Sequence, residues 1–114
     1  MSFASLNEDL DRVSRDIEST TYDVDIAREA FLIKEAEYDN AYSHAILCSI
    51  ANNSELTQTD LKAMATAECH PLNMDRIMAK STYMKAQNRL KALRDRLDAL
   101  KELGYNLRRE AQIR

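Results

Sequence analysis

Glycine, proline and tryptophan are almost absent from this chain. Its 114 residues include one glycine, one proline and no tryptophan. Because strand ends and turns depend on glycine and proline, this composition excludes folds that are built from many short strands. Charged residues make up 31% of the chain and hydrophobic residues 45%, which is typical of amphipathic helices rather than of disorder. The composition therefore predicts an all-α fold.

Cysteines are few, and long apolar runs are missing. Cys48 and Cys69 do not make a disulfide framework, which favours a reducing, intracellular compartment. The acidic start of the chain lacks the basic region and apolar run of a secretory signal. The longest apolar stretch, around Ala45–Ala51, is far shorter than the roughly 20 residues that a membrane span needs. We expect a cytoplasmic protein with no membrane partner.

A narrow leucine stripe near the C-terminal end is the strongest pattern in the sequence. Its leucines are separated alternately by three and four residues, and Gly104 continues the spacing; they are Leu90, Leu93, Leu97, Leu100 and Leu107. Because an α-helix turns once in about 3.6 residues, these side chains share one face, and a second helix must cover them. We predict that they form an interface between copies of the chain in a homo-oligomer.

A similar spacing begins at Leu6 and predicts a long acidic helix or helices over about 6–51. Ser5 and Glu8 fit a capping box at its start. Residues 19–22 have poor helix propensity, so a break at that point remains open. An uninterrupted helix of this length would be roughly 70 Å long. We expect a helical hairpin or coiled-coil-like bundle of long helices, in a single all-helical domain.

Two more helices follow the acidic one. Thr57 can cap a short helix over about 58–68, and Pro71 interrupts the pattern after it. The last helix, basic and leucine-striped, is predicted over about 72–110. Gly104 is expected to be either a helix C-cap or a kink inside that helix.

The net charge of −3 hides an asymmetry between the two parts of the chain. Residues 1–74 carry 5 basic and 14 acidic side chains, whereas residues 75–114 carry 11 basic and 5 acidic. Acidic residues flank the first stripe and basic residues flank the second, which is the partner-selecting pattern of coiled coils. Two interpretations remain open. The basic half is used internally against the acidic half, or it presents a surface to an acidic partner.

Two histidines and two cysteines are the candidates for a metal site. His44 and Cys48 are four residues apart, and Cys69 and His70 follow later, so four possible zinc ligands exist without the usual spacing signature. The alternative is that Cys48 packs as a small apolar residue of the stripe and that Cys69 is a buried thiol. Glycine-rich phosphate loops and the common hydrolase motifs are missing. We expect no metal, no cofactor and no enzymatic activity.

Part of the chain resembles a known family. The second half of the chain resembles small phage recombination mediator proteins of the UvsY type, from Thr57 through the run RLKALRDRLDALK of Arg89–Lys101 to Gly104, Tyr105 and the basic tail. The resemblance extends more loosely to Tyr38–Tyr42. It implies a homo-oligomeric assembly that binds single-stranded DNA and helps to load a RecA-like recombinase against a single-strand-binding protein. The compartment would then be the cytoplasm of the phage host.

The resemblance also implies which residues contact DNA. The candidates for phosphate contact are Lys85, Arg89, Lys91, Arg94, Arg96, Arg108 and Arg109. Tyr83 and Tyr105 lie near these charges and are candidates for stacking on unpaired bases. The alternative function is a coiled-coil scaffold, adaptor or chaperone-like assembly protein that does not bind nucleic acid.

Overall fold

Three α-helices account for almost all of the described chain. The computed structural model describes residues 2–53 and 55–113. Its helices are α1 (Phe3–Asn52), α2 (Gln58–Glu68) and α3 (His70–Ile113), and no strand occurs among these residues. The predicted all-α fold is confirmed. None of the described helices has an apolar stretch long enough to cross a lipid bilayer.

The helix α1 continues without a break through residues 19–22, where poor helix propensity had made a break one of two expectations. Thr20 is only 2% exposed. The Thr21 hydroxyl donates a hydrogen bond of 2.7 Å to the carbonyl oxygen of Ile17. A threonine that bonds back to the preceding turn satisfies its polar group without leaving the helix. Packing and this local bond therefore outweigh the weak intrinsic propensity of the segment.

The start of α1 differs from the predicted capping box. Ser5 and Glu8 both lie inside the helix, and the backbone N–H of Ser5 donates to the Ser2 hydroxyl at 3.1 Å. Ser2 therefore closes the first turn, as an N-cap serine does. The prediction was wrong because two serines lie three residues apart and either could cap a helix. The additional turn brings Phe3 into α1.

Thr57 lies at the start of α2, and Pro71 lies at the start of α3. The Thr57 hydroxyl accepts a hydrogen bond of 3.2 Å from the backbone N–H of Asp60, which caps α2. Cys69 separates the two helices, and α3 begins at His70. Pro71 lies in the first turn of α3, where its missing N–H would have had no helical partner.

The chain divides into two compact units. The first contains the residues up to Ile26 and those from Met84 onward, and the second is Ala27–Tyr83. In the first unit, Phe3 lies beside Leu107, and further along α1 Val24 lies beside Leu90. The order of these contacts shows that α1 and α3 are antiparallel there.

The leucine stripe of α3 forms the core of the first unit together with the stripe of α1. Leu6, Val13 and Leu100 are buried in one cluster. The partly buried residues that pack against it are Leu10, Ile17, Leu97, Leu103 and Leu107. Leu90 is buried and Leu93 is half-buried. The stripe is thus covered within one chain. An interface between copies through these leucines stays a prediction, and this packing adds no support to it.

The second unit has a core of small side chains and tyrosines. Ala45, Ala65 and Cys69 are buried together, and the residues packed against them are Tyr38, Ala41, Tyr42 and Ile46. The ring of Phe31 stacks on the ring of Tyr83, with centroids 6.1 Å apart. The guanidinium of Arg76 lies 5.1 Å from the centroid of the Tyr38 ring, a cation–π contact.

Gly104 is an interior residue of α3, so of the two alternatives, a C-cap or a kink inside the helix, the C-cap is wrong. The helix continues from Leu103 through Gly104 to Ile113, and Gly104 is buried. A Cβ atom at this position would lie 3.1 Å from the Cδ2 atom of Leu6. Close approach of α1, rather than a turn, is therefore the reason for a glycine.

Replacing Gly104 by leucine is expected to destabilise the protein by about 1–3 kcal/mol, the usual cost of overpacking. The new side chain would have to displace Leu6, which is buried. Urea unfolding followed by circular dichroism measures the change. The control is Ala99→Leu on the exposed side of the same helix, where no comparable loss is expected. Equal stability of the two variants would contradict this role for Gly104.

Candidate functional site

Every basic residue proposed for phosphate contact is exposed on α3 and belongs to the first unit. These residues are Lys85, Arg89, Lys91, Arg94, Arg96, Arg108 and Arg109. Within residues 2–53 and 55–113, none of them takes part in an ion pair. Two ion pairs of 3.3 Å instead join neighbouring turns of α1, between Arg12 and Asp9 and between Lys34 and Glu37. The predicted pairing of charges between the helices is therefore not formed by these cations.

The cations lie in two rows on opposite sides of the leucine stripe. Residues three, four or seven positions apart share a helix face, so the sequence numbers assign each cation to a row. What we call the front row consists of Lys91, Arg94, Lys101 and Arg108. The back row consists of Lys85, Arg89 and Arg96. Arg109 belongs to neither row.

The front row faces uncharged positions of α1. Asn7 lines the same groove as Lys101 and Arg108, which places Asn7 opposite the front row. The heptad repeat puts Ser14 and Thr21 on the same side of α1 as Asn7. The front row therefore meets no acidic side chain at the positions of α1 that flank the interhelical contact.

The back row faces acidic positions. In an antiparallel pair, the flank of α1 opposite Asn7 faces the back row, and this flank carries aspartates at seven-residue intervals. These aspartates are Asp9, Asp16 and Asp23. Asp9 pairs with Arg12 of its own helix, so Asp16 and Asp23 are the aspartates placed to offset Arg89 and Arg96. Exposed charges at such positions contribute little stability.

On α3 itself, Asp98 shares the face of the front row, four residues after Arg94 and three before Lys101. The front row nevertheless differs from the back row in meeting no carboxylate at the flanking positions of α1.

The two ends of the front row differ in their surroundings. At one end, Lys91 and Arg94 line a groove that also contains Asp95 and Asp98. At the other end, a groove of about 310 Å³, which we call the front groove, has no acidic residue in its lining. The front groove is lined by Phe3, Leu6, Asn7, Leu10, Leu100, Lys101, Gly104, Tyr105 and Arg108.

The charge of the first unit as a whole is balanced. Residues 1–26 carry 2 basic and 7 acidic side chains, and residues 84–114 carry 9 basic and 4 acidic. The unit is therefore neutral, with acids concentrated on α1 and bases on α3. Any attraction of an anion depends on the local arrangement of charge and not on the net charge of the unit.

The two tyrosines that were candidates for base stacking have different surroundings. Tyr83 is half-buried, and its ring already stacks on Phe31 in the second unit. Tyr105 is 62% exposed and lines the front groove. Tyr105 therefore remains a candidate for stacking, whereas the ring of Tyr83 is occupied.

Two residues of this site were not among the predicted contacts. Lys101 was left out of the phosphate candidates, although its seven-residue spacing from Arg94 and from Arg108 signals a continuous row. Phe3 was placed before the predicted helix, because Ser5 rather than Ser2 was taken as the cap. The Ser2-x-x-Ser5 spacing was the available signal for including Phe3 in α1.

The four possible zinc ligands do not come together. The Sγ atom of Cys48 lies 3.4 Å from the Nε2 atom of His44 on the exposed surface of α1. Cys69 is buried in the core of the second unit. Within the described part of the chain, no three His, Cys, Asp or Glu side chains are grouped so as to hold a metal ion. Cys48 is exposed, so its interpretation as a packed residue of the stripe was wrong, whereas Cys69 is a buried thiol.

Comparisons of this chain with protein-family models, curated proteins and solved structures gave no match.

Proposed function

We propose that this protein is a non-enzymatic, single-stranded-DNA-binding recombination mediator that holds the strand along the front row. The observation that carries the proposal is the front row itself. Its four side chains are exposed, make no ion pair within the described residues and face uncharged positions of α1.

Phosphate binding by such a row is driven by the release of counterions. Each phosphate that a cation neutralises releases counterions from the strand, which gives a salt dependence of about 0.7 per contact for single strands. The front row extends over about 25 Å of helix at about 1.5 Å per residue, so its charges can follow one backbone. Asp11 and Glu18 lie one turn beyond Asn7 and Ser14 on α1. A bound strand would therefore follow α3 and avoid these acidic positions of α1.

The recombination role rests on the resemblance of α3 to mediator proteins of the UvsY type. That role requires a RecA-like recombinase and a single-strand-binding protein as partners, and it implies a homo-oligomer. In such an assembly, the front rows of several copies would act on one strand, and the number of phosphates neutralised would increase with the number of subunits.

A salt titration tests DNA binding directly. The probe is a fluorescently labelled oligodeoxythymidylate, and its anisotropy is measured between about 50 and 200 mM salt. We expect binding at about 50 mM and a slope of roughly −3 in log–log form for four contacts per subunit. Absence of binding at about 50 mM salt would remove the proposal, because electrostatic contacts are strong under that condition.

The second candidate is a coiled-coil scaffold, adaptor or assembly protein without a nucleic-acid role. It is favoured by a group of apolar side chains that α3 exposes in the second unit, namely Met74, Ile77 and Met78. Exposed apolar groups of this kind often mark contacts with other proteins. A protein that fails to bind the oligonucleotide would support this candidate.

A further inference from the structure

The front groove combines an apolar floor with cations at its edge. The floor contains Leu6, Leu10 and Leu100, and the cations are Lys101 and Arg108. Other grooves of the first unit include carboxylates. One contains Asp95 and Asp98 beside Lys91, and another contains Glu110 beside Leu107. The front groove is therefore suited to a ligand that has both an apolar part and a negative charge.

Two aromatic rings line this groove and remain accessible. Phe3 is 47% exposed and Tyr105 is 62% exposed. Both contribute to the lining of the front groove, Phe3 from the first turn of α1 and Tyr105 from α3. Aromatic side chains that stay accessible beside cations are typical of surfaces that bind unpaired nucleotides, because every base offers a π-face for stacking.

Gly104 contributes to the shape of the groove. It lines the floor between Lys101 and Arg108, and α1 approaches it closely through Leu6. A side chain at this position would occupy part of the floor. The volume of about 310 Å³ is at the lower end of the range for ligand sites, which suits a single base rather than a large ligand.

We propose that the front groove holds one unpaired base of a single strand. The base stacks against Tyr105 and Phe3, and the flanking phosphates contact Lys101 and Arg108. This inference rests on the proposed DNA-binding function and adds a base-binding position to the row of phosphate contacts. The groove would distinguish single strands from duplexes. In a duplex the bases are paired and stacked in the interior of the double helix, so they cannot enter the groove.

A tryptophan reporter tests the stacking directly, because the natural chain has no tryptophan. In Tyr105→Trp the new ring keeps the capacity to stack, and its emission should be quenched when oligodeoxythymidylate binds. The control is Tyr22→Trp, at an exposed position of α1 that does not line the front groove. Its emission should not change. Quenching at both positions or at neither, with the strand bound, would overturn the inference.

Affinity for an abasic strand gives a second and independent test. The probe pair is an oligodeoxythymidylate and an abasic oligonucleotide of the same length, which has the same phosphates without bases. Wild type should bind the base-bearing strand about five-fold or more tightly than the abasic one, the low end of the range for base–aromatic stacking. Tyr105→Ala should lose this preference, and both Tyr105→Phe and Tyr22→Ala should keep it.

The outcomes separate this inference from the proposed function. If wild type binds neither strand at about 50 mM salt, the DNA-binding function itself fails. If wild type binds both strands equally and Tyr105→Ala changes nothing, the row of phosphate contacts stands and the base-binding groove is overturned.

Discussion

Replacing Leu100 by alanine is expected to destabilise the protein by about 2–5 kcal/mol, the range measured for buried leucines. Leu100 is 9% exposed and packs in the cluster with Leu6 and Val13. Truncation leaves a cavity between α1 and α3, and little else lies in the first unit to fill it. Urea unfolding followed by circular dichroism at 222 nm measures the loss. The matched control is Leu32→Ala, at a leucine of α1 that is 53% exposed, where a change within about 0.5 kcal/mol is expected.

The same experiment tests which chain covers the leucine stripe. Unfolding of a core within one chain does not depend on protein concentration, whereas association stabilises the folded state by mass action. Because the packing of Leu100 lies within one chain, we expect the loss of stability caused by Leu100→Ala to be the same at high and low protein concentration, even if other surfaces join copies of the chain. A loss that grows as the protein becomes more dilute would restore the sequence-based prediction that these leucines form an interface between copies.

Neutralising three of the four cations in the front row is expected to weaken binding of single-stranded DNA by roughly 100-fold at about 50 mM salt. The variant is Arg94→Gln with Lys101→Gln and Arg108→Gln, which removes three phosphate contacts but introduces no negative charge. At about 0.7 per contact, the slope of log affinity against log salt should decrease by about two. Fluorescence anisotropy with labelled oligodeoxythymidylate measures both quantities.

The back row provides the matched control for this variant. Lys85→Gln with Arg89→Gln and Arg96→Gln removes the same number of charges from the same helix. Because aspartates of α1 lie opposite the back row, we expect a smaller loss of affinity and a nearly unchanged slope. If the two triple variants lose affinity equally, the strand does not distinguish the rows, and the assignment of the interface to the front row is wrong.

The difference between the rows depends on the pairing of the helices. On α3 itself the front row has one more cation than the back row but shares its face with Asp98, so α3 alone gives no reason to choose between them. The antiparallel arrangement places Asn7, Ser14 and Thr21 beside one row and the aspartates beside the other. The candidate interface is thus a property of two helices and not of the basic helix alone.

Much of the fold could be predicted from residue spacing. The alternation of three and four residues from Leu6 onward and from Leu90 onward identifies which side chains are inward, and these positions are buried or half-buried in the first unit. Thr57 indicates the start of α2. These features are local or periodic, so they depend on helix geometry and not on which segments meet.

The predictions from the sequence that were wrong have specific physical causes. Gly104 looked like a C-cap because glycine commonly ends helices, but here a neighbouring helix needs the space above it. Cys48 has the periodicity of the stripe, but it is exposed near the end of α1. It was predicted to be packed because spacing alone does not show how far along a helix its partner covers the apolar face. Ser5 was chosen over Ser2 because both satisfy the same local rule.

Composition and helix periodicity are sufficient to predict the all-α class, the inward faces of the helices and the separation of acidic from basic residues, because each of these depends on short stretches of chain. The pairing of α1 with α3 was needed to see that one chain covers its own leucine stripe, that the two rows of cations face different positions of α1, and that Phe3 joins Tyr105 in one groove. These depend on the direction and register of α1 against α3, which bring together residues about a hundred positions apart.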